Sequence, residues 1–318
     1  MISDGIYERS VRKQLHLTGA EGHLFPSYNG DIAASCDGRA MGTVISTSDT
    51  LESSLKDIYR AFLCRGAVIT DIAAVLGSDT DESLLRQTVN RLQTLAGDLS
   101  GTEGTKVTVS SVQILPLGDL AVILTCTGHV LPALEAPWQA AEIYPGEELV
   151  LTGTLGRSAL SELVRVHARD LKKAMPPALF LSIMKKASMK DRLPFVEVSL
   201  LSSFLPTAVI PCGEGGIETA LMRIGDRKKA GLSVDVRRLS FDQETIEAAE
   251  YFNLNPMQME SKGAYLIAVP KSETGHTGAE ELVLELRRRG IAAVSIGTVT
   301  KEKKRTMIVD DEERYMNL

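Results

Sequence analysis

Apolar and polar positions along the chain recur with two periods, two residues in some stretches and close to 3.6 in others, separated by short Gly- or Pro-marked joints. Residues 8–15 carry both charge signs at helical spacing. Residues 43–47 form a β-branched run. Leu55, Ile58, Tyr59 and Phe62 then fall on one helix face, which predicts a helix over 51–65. Residues 67–76 are apolar and β-branched, as in a strand. Asp79 or Asp81 stands where it would cap a helix whose buried stripe is Leu84, Leu85, Val89, Leu92 and Leu95. Residues 97–104 are polar with glycine at each end and read as a loop. Residues 106–115 alternate, residues 120–130 follow as another strand, and Leu117-Gly118 between them predicts a hairpin.

The pattern changes where Pro132, Pro137 and Pro145 frame an Ala-rich segment, so the joint between two domains is set near Pro137, dividing 1–137 from 138–318. Beyond it the pattern predicts a strand over 148–154, a turn at Gly156 and an amphipathic helix over 158–173. Pro176-Pro177 suits the first turn of the next helix, to about residue 186. One or two strands lie within 196–210. The Gly-rich turn Cys212-Gly213-Glu214-Gly215-Gly216 opens a helix to about residue 229. A strand over 232–239, a helix over 243–252, a strand over 263–270 and a helix over 278–289 follow. Residues 291–300 and 305–309 close as a hairpin. The expected class is α+β, a mixed α/β chain of 318 residues in two domains.

Composition removes several functions. At 44% hydrophobic and 24% charged residues the chain has enough apolar surface for two cores, which excludes wholesale disorder. The net charge is −6 and no basic block is long enough to follow a phosphate backbone, so nucleic acid is not an expected partner. Aromatic residues, at 5%, are too few for a base-stacking surface. The uncharged stretches 120–134 and 198–213 fall short of the ~18–20 apolar residues of a membrane span and contain Pro or Gly. The first residues lack the apolar core of a signal peptide. Cys36, Cys64, Cys126 and Cys212 lie far apart with no CxxC, which favours reduced thiols in a cytoplasmic protein over a zinc site.

The second half carries the most informative motifs. They begin with Tyr144-Pro145-Gly146-Glu147-Glu148-Leu149-Val150-Leu151-Thr152-Gly153-Thr154-Leu155-Gly156. Gly215-Gly216-Ile217-Glu218-Thr219-Ala220-Leu221 and Phe252-Asn253-Leu254-Asn255-Pro256 come next. Ser261-Lys262-Gly263-Ala264-Tyr265-Leu266-Ile267-Ala268-Val269-Pro270 and Ile296-Gly297-Thr298-Val299 complete the set. In this order and spacing they resemble the C-terminal domain of the AIR synthase (PurM-like) superfamily, and within it the hydrogenase-maturation carbamoyl dehydratase (HypE-type) branch. In the first half, Gly30-Asp31-Ile32-Ala33-Ala34 resembles a worn Gly-Asp-Asp-Ala-Ala loop, Ser46-Thr47-Ser48-Asp49-Thr50 a Thr-Asp-Ser turn, and Thr127-Gly128 a strand-end Thr-Gly. The resemblance implies an AIR synthase-like fold whose N-terminal domains pair into a barrel-like homodimer, with ATP and magnesium in a groove along it.

The same resemblance points to site residues. Asp49 is the candidate ligand for magnesium and nucleotide, since hard cations need carboxylate oxygens, and it is equally a candidate helix N-cap. Asp31 is a second nucleotide candidate, or a turn residue. Gly213, Gly215 and Gly216 would aim backbone N–H groups at an anion from a helix start. Other family positions differ. Arg60 and Ala61 stand where an Asn-Asp pair belongs, with Thr70-Asp71 as a rival alignment. Ser110-Ser111 fall at a Gly-Asp-Thr, and Pro211 and Glu214 replace an Asp and an Arg of the Gly-rich turn. A carboxylate at a helix N-terminus satisfies the helix dipole itself and repels phosphate. The tail Glu313-Arg314-Tyr315-Met316-Asn317-Leu318 lacks the cysteine that carries the carbamoyl group in that branch, so its dehydratase chemistry is not expected. The expectation is a divergent, non-catalytic or ligand-binding homodimer. The alternative is an ATP- and magnesium-dependent enzyme that phosphorylates a carbonyl or carbamoyl oxygen.

Overall fold

The computed structural model describes residues 24–25, 33–36, 38–47, 50–77, 82–103, 105–115, 121–131, 143–189, 200–201, 203–228, 231–270, 278–309 and 312–315. The segment 8–15 and the capping positions Asp79 and Asp81 lie outside these residues. The chain divides into two compact units. Unit 1 comprises Met1–Ala141 with Glu197–Ser203, and unit 2 comprises Glu142–Val196 with Phe204–Leu318.

Unit 1 is built on a six-stranded sheet of β1 (Leu24–Phe25), β2 (Ala33–Cys36), β3 (Arg39–Thr47), β4 (Ala67–Gly77), β5 (Thr108–Leu115) and β6 (Ala121–Val130), in the spatial order β1-β2-β3-β6-β4-β5. Among the described residues, α1 (Leu51–Leu63) and α2 (Glu82–Glu103) accompany it. α1 lays the fully buried Leu51, Leu55, Ile58 and Phe62 toward β3 and β4, as its periodicity predicts. Its N-cap is Thr50, whose carbonyl accepts the Ser54 N–H at 2.9 Å.

Two sequence expectations fail in unit 1. The predicted hairpin of β5 and β6 does not form, because β4 lies between them. β5 runs parallel to β4 with α2 as its crossover, and β6 pairs antiparallel with β3 and β4. Of the predicted loop over 97–104, residues 97–103 are the last part of α2. Leu95, Ala96 and Leu99 are buried, and their apolar contacts carry the helix through Gly97.

Among its described residues unit 2 has the strands β7 (Glu148–Thr152), β8 (Ala208–Pro211), β9 (Gly231–Asp235), β10 (Tyr265–Val269), β11 (Ala293–Thr300), β12 (Arg305–Val309) and β13 (Glu312–Tyr315). Their spatial order is β13-β12-β9-β11-β7-β10-β8. Its helices are α3 (Arg157–Ala174), α4 (Pro177–Ala187), α5 (Gly216–Lys228), α6 (Gln243–Tyr251) and α7 (Gly278–Arg288). β7 and β10 are near-continuous apolar strands, and Leu149, Leu151, Ile210, Leu266, Ile296, Ile217 and Ile224 belong to one core cluster. Leu160, Leu171, Ile183 and Ala248 form a smaller cluster that joins α3, α4 and α6.

The expected closing hairpin is also rearranged. β9 separates β11 from β12, β12 runs parallel to β9, and the hairpin partner of β12 is β13. The strand expected over 232–239 ends at Asp235, whose carboxylate accepts the Arg237 N–H at 3.0 Å and starts a 3₁₀ turn over Val236–Arg238. Of the region 196–210, only β8 is strand among the described residues. No helix among the described residues is long and apolar enough to cross a membrane.

Candidate functional site

The Gly-rich turn is suspended between two elements of unit 2. Past the end of β8, the Cys212 N–H donates to the Ala264 carbonyl at 2.9 Å, and the Cys212 carbonyl accepts the Ser261 N–H at 2.9 Å. The Gly216 N–H returns to the Gly213 carbonyl at 3.0 Å and closes the turn. Gly215 and Gly216 have φ of 76° and 61°, on the side of φ that favours glycine. Space is equally restrictive. A Cβ on Gly216 would lie 2.3 Å from the Met257 carbonyl oxygen, and one on Gly215 2.1 Å from Thr219 Oγ1. A Cβ on Gly213 would have nothing within 4 Å among the described residues, so that side of the turn is open to them.

The backbone pressed against Gly216 is itself set by local chemistry. Asn253 follows α6 with φ of 53°, and the Leu254 N–H reaches back to the Ala249 carbonyl at 2.8 Å, the bond that closes a helix through a left-handed residue. Asn255 Oδ1 then accepts the Met257 N–H at 3.0 Å, and Pro256 opens a 3₁₀ turn over Pro256–Gln258. The motif Phe252-Asn253-Leu254-Asn255-Pro256 is thus a helix stop followed by a side-chain-capped turn.

Ser261, 1% exposed, is the residue that sequence reasoning missed. Its hydroxyl accepts the Gly156 N–H at 2.7 Å and donates to the Met259 carbonyl at 2.8 Å. Nearby, the Ser158 hydroxyl donates to the Glu260 carbonyl at 2.7 Å and accepts the Lys262 N–H at 2.9 Å. Four segments read as separate motifs therefore meet: 153–158, 212–216, 252–257 and 259–264. In the sequence Ser261 is marked only by its place in the segment Ser261–Pro270.

Electrostatics at this turn is acidic. Glu214 is exposed on it, Glu218 sits in the first turn of α5, and Glu218 Oε2 is shielded from solvent with no hydrogen-bond partner among the described residues. Burial pushes the Cys212 thiol far above the usual range, so it is a neutral core group. Beside the start of α3, Asp242 receives Arg157 Nη2 and Lys186 Nζ, each at 2.9 Å. Burial alone would raise the Asp242 carboxyl, and the hydrogen bonds from Lys186 and Arg157 outweigh it and hold it below its usual range.

The unit-1 candidates Asp31 and Asp49 lie outside the described residues. Asp71, of the rival alignment, is on β4. Its carboxylate accepts Thr108 Oγ1 at 3.1 Å and Ser110 Oγ at 2.6 Å. His129 is exposed on β6. Among the described residues no three His, Cys, Asp or Glu side chains gather to hold a metal ion.

The fold is shared with solved structures. The protein tt0281 of Thermus thermophilus has a TM-score of 0.67 and 18% identity, covering 96% of this chain and 98% of its own. Thiamine monophosphate kinase (ThiL) of Aquifex aeolicus has 0.64 and 12%, covering 98% and 97%. The hydrogenase maturation protein HypE in complex with ATP has 0.61 and 15%, covering 99% and 93%. These likenesses establish an AIR synthase-like two-domain fold and agree with the HypE-type resemblance of the motifs. No curated protein matches the sequence. The family described as AIR synthase related protein, C-terminal domain, matches residues 144–310, which is more than half of the chain and contains every segment of the turn just described. The chain belongs to the AIR synthase related family.

Proposed function

We propose that this protein is a divergent, homodimeric member of its family that binds a ligand without catalysing the family's phosphoryl chemistry. One observation carries the reading. The Gly-rich turn keeps the backbone of an anion-binding helix start, while Glu214 and Glu218 bring two carboxylates to it. In this reading domain 1–137 supplies dimerisation and the groove, domain 138–318 supplies the turn, and the protein works in the cytoplasm. The dimer is a barrel-like pairing of N-terminal sheets. Met41 and Ile45 on β3 and Ile114 and Leu115 on β5 support it, since all four are exposed apolar side chains on strands of one sheet.

A second reading keeps ATP and magnesium as cofactors, with Asp49 holding the metal and Asp31, Gly213, Gly215 and Gly216 lining the nucleotide site. It is favoured by solved proteins of the same fold, HypE in complex with ATP and ThiL with AMPPCP and TMP. Calorimetric titration with ATP plus magnesium separates the two. The first reading expects no heat at sub-millimolar ATP. Saturable heat that Asp49→Asn abolishes would overturn it and install the second. Heat that survives the substitution would keep nucleotide binding and remove Asp49 from the site.

A further inference from the structure

The chain passes between its two units at residues 141/142, 196/197 and 203/204. Two described segments that follow these passages in sequence, 143–144 and 205–207, meet at one buried carboxylate of unit 2. Glu147 is 3% exposed. Its Oε1 accepts the Tyr144 N–H at 2.8 Å, and its Oε2 accepts the Thr207 hydroxyl. Tyr144 lies two residues after the first passage, and Thr207 three residues after the last. The second strand of this meeting is under strain. Leu205, 62% exposed, has φ of 46°, which a leucine adopts only when its surroundings hold it there, and it precedes Pro206, which restricts it further. What holds it is downstream: the Thr207 N–H donates to the Ala268 carbonyl of β10 at 3.0 Å, and the Thr207 hydroxyl closes on Glu147.

We infer that Glu147 is a clasp that fastens two incoming segments, 143–144 and 205–207, to each other at the edge of unit 2. A carboxylate suits the task because its two oxygens accept from two donors that lie far apart in sequence. The ends of β7 and β11 form the seat on which it sits, since the Gly146 N–H donates to the Val299 carbonyl at 2.8 Å and the Val299 N–H to the Glu147 carbonyl at 2.9 Å. Opening the clasp would release the strain at Leu205 and free both segments while the sheet stays paired. Nothing in this inference depends on which ligand the family turn takes.

Coupling between the two segments is the distinguishing property, so the test substitutes one and observes the other. Hydrogen exchange of the Tyr144 amide is followed in the full-length protein, in Glu147→Ala, in Glu147→Gln and in the near-isosteric Thr207→Val. Exchange is expected to quicken about ten-fold in Glu147→Ala, the factor that roughly 1.4 kcal/mol of lost local stability gives. Thr207→Val is expected to quicken it by a smaller factor, and so is Glu147→Gln, which keeps an acceptor for the amide and loses the one for the Thr207 hydroxyl. Thermolysin cleavage of the Ser203–Phe204 bond should rise in step with exchange, with the amides of β7 as protected as before. If Thr207→Val leaves Tyr144 exchange and this cleavage at wild-type values, the two segments are fastened independently and the clasp is refuted. The same holds if Glu147→Ala folds and changes neither. Should Glu147→Ala not fold, Thr207→Val decides alone.

Discussion

β10 is an apolar strand and β5 mixes apolar with polar residues, and they have opposite surroundings. Every residue of β10 is buried, with β7 and β8 paired on its two sides. Every residue of β5 except Val109 is exposed, and β5 is the edge of its sheet. A strand such as β10 belongs to a unit complete in itself. A long exposed edge that carries apolar side chains, as β5 does with Val112, Ile114 and Leu115, is a surface that soluble proteins cover or blunt. The family motifs around the Gly-rich turn of unit 2 likewise form one hydrogen-bonded joint.

Gly216→Ala attacks the complete unit where it is tightest. Overlap with the Met257 carbonyl, added to an unfavourable φ, should cost about 3 kcal/mol, read from urea midpoints with unit 2 melting first. A loss under about 1 kcal/mol would mean the joint is looser than β10 suggests. On the other side of the comparison, Ile45→Asp should weaken self-association roughly thirty-fold, about 2 kcal/mol, in sedimentation equilibrium, with little change in monomer stability. An unaltered association constant would detach β3 from the dimer reading.

Two shielded carboxylates of unit 2 predict opposite pH dependences. Burial raises the Glu147 carboxyl above its ordinary 4.5, so the folded state holds the proton more tightly than the unfolded chain. Its contribution to stability therefore falls as pH rises from about 4.5 through the higher folded value, and Glu147→Gln should flatten that slope. Asp242 is held below its ordinary 3.8, so its contribution is present above that pH and is lost as pH falls through the lower folded value. Asp242→Asn should remove the acid-side loss. Urea midpoints across about pH 3 to 8 test both, and parallel curves for wild type and Glu147→Gln would contradict the first. The smallest effect belongs to Asn253→Gly, where the left-handed φ favours glycine and a gain of about 0.5 kcal/mol is expected in thermal unfolding.

Local periodicity disclosed most helices and strands, because it is a property of neighbouring residues. It did not disclose which strands pair. Alternation in 106–115 and 120–130 is the same whether they adjoin or flank a third strand, and β4 took that place. The extent of α2 was hidden for a related reason, since burial of Leu99 and Ala96 outweighs the glycine at 97. At the candidate site the glycines were legible, and so was the intrusion of Glu214. The roles of Ser261 and Glu147 were not, because a serine among glycine and lysine, or one glutamate beside another, carries no sequence mark of being buried and doubly bonded.

The turn around Gly216 separates two kinds of constraint. Gly216 is fixed by contacts with backbone atoms that cannot move aside, whereas a Cβ on Gly213 would meet none of the described residues within 4 Å and Glu214 is exposed. Substitution at the open positions alters the charge of the turn without touching the frame that carries it. The charge of such a turn can drift by single steps while its architecture stays in place.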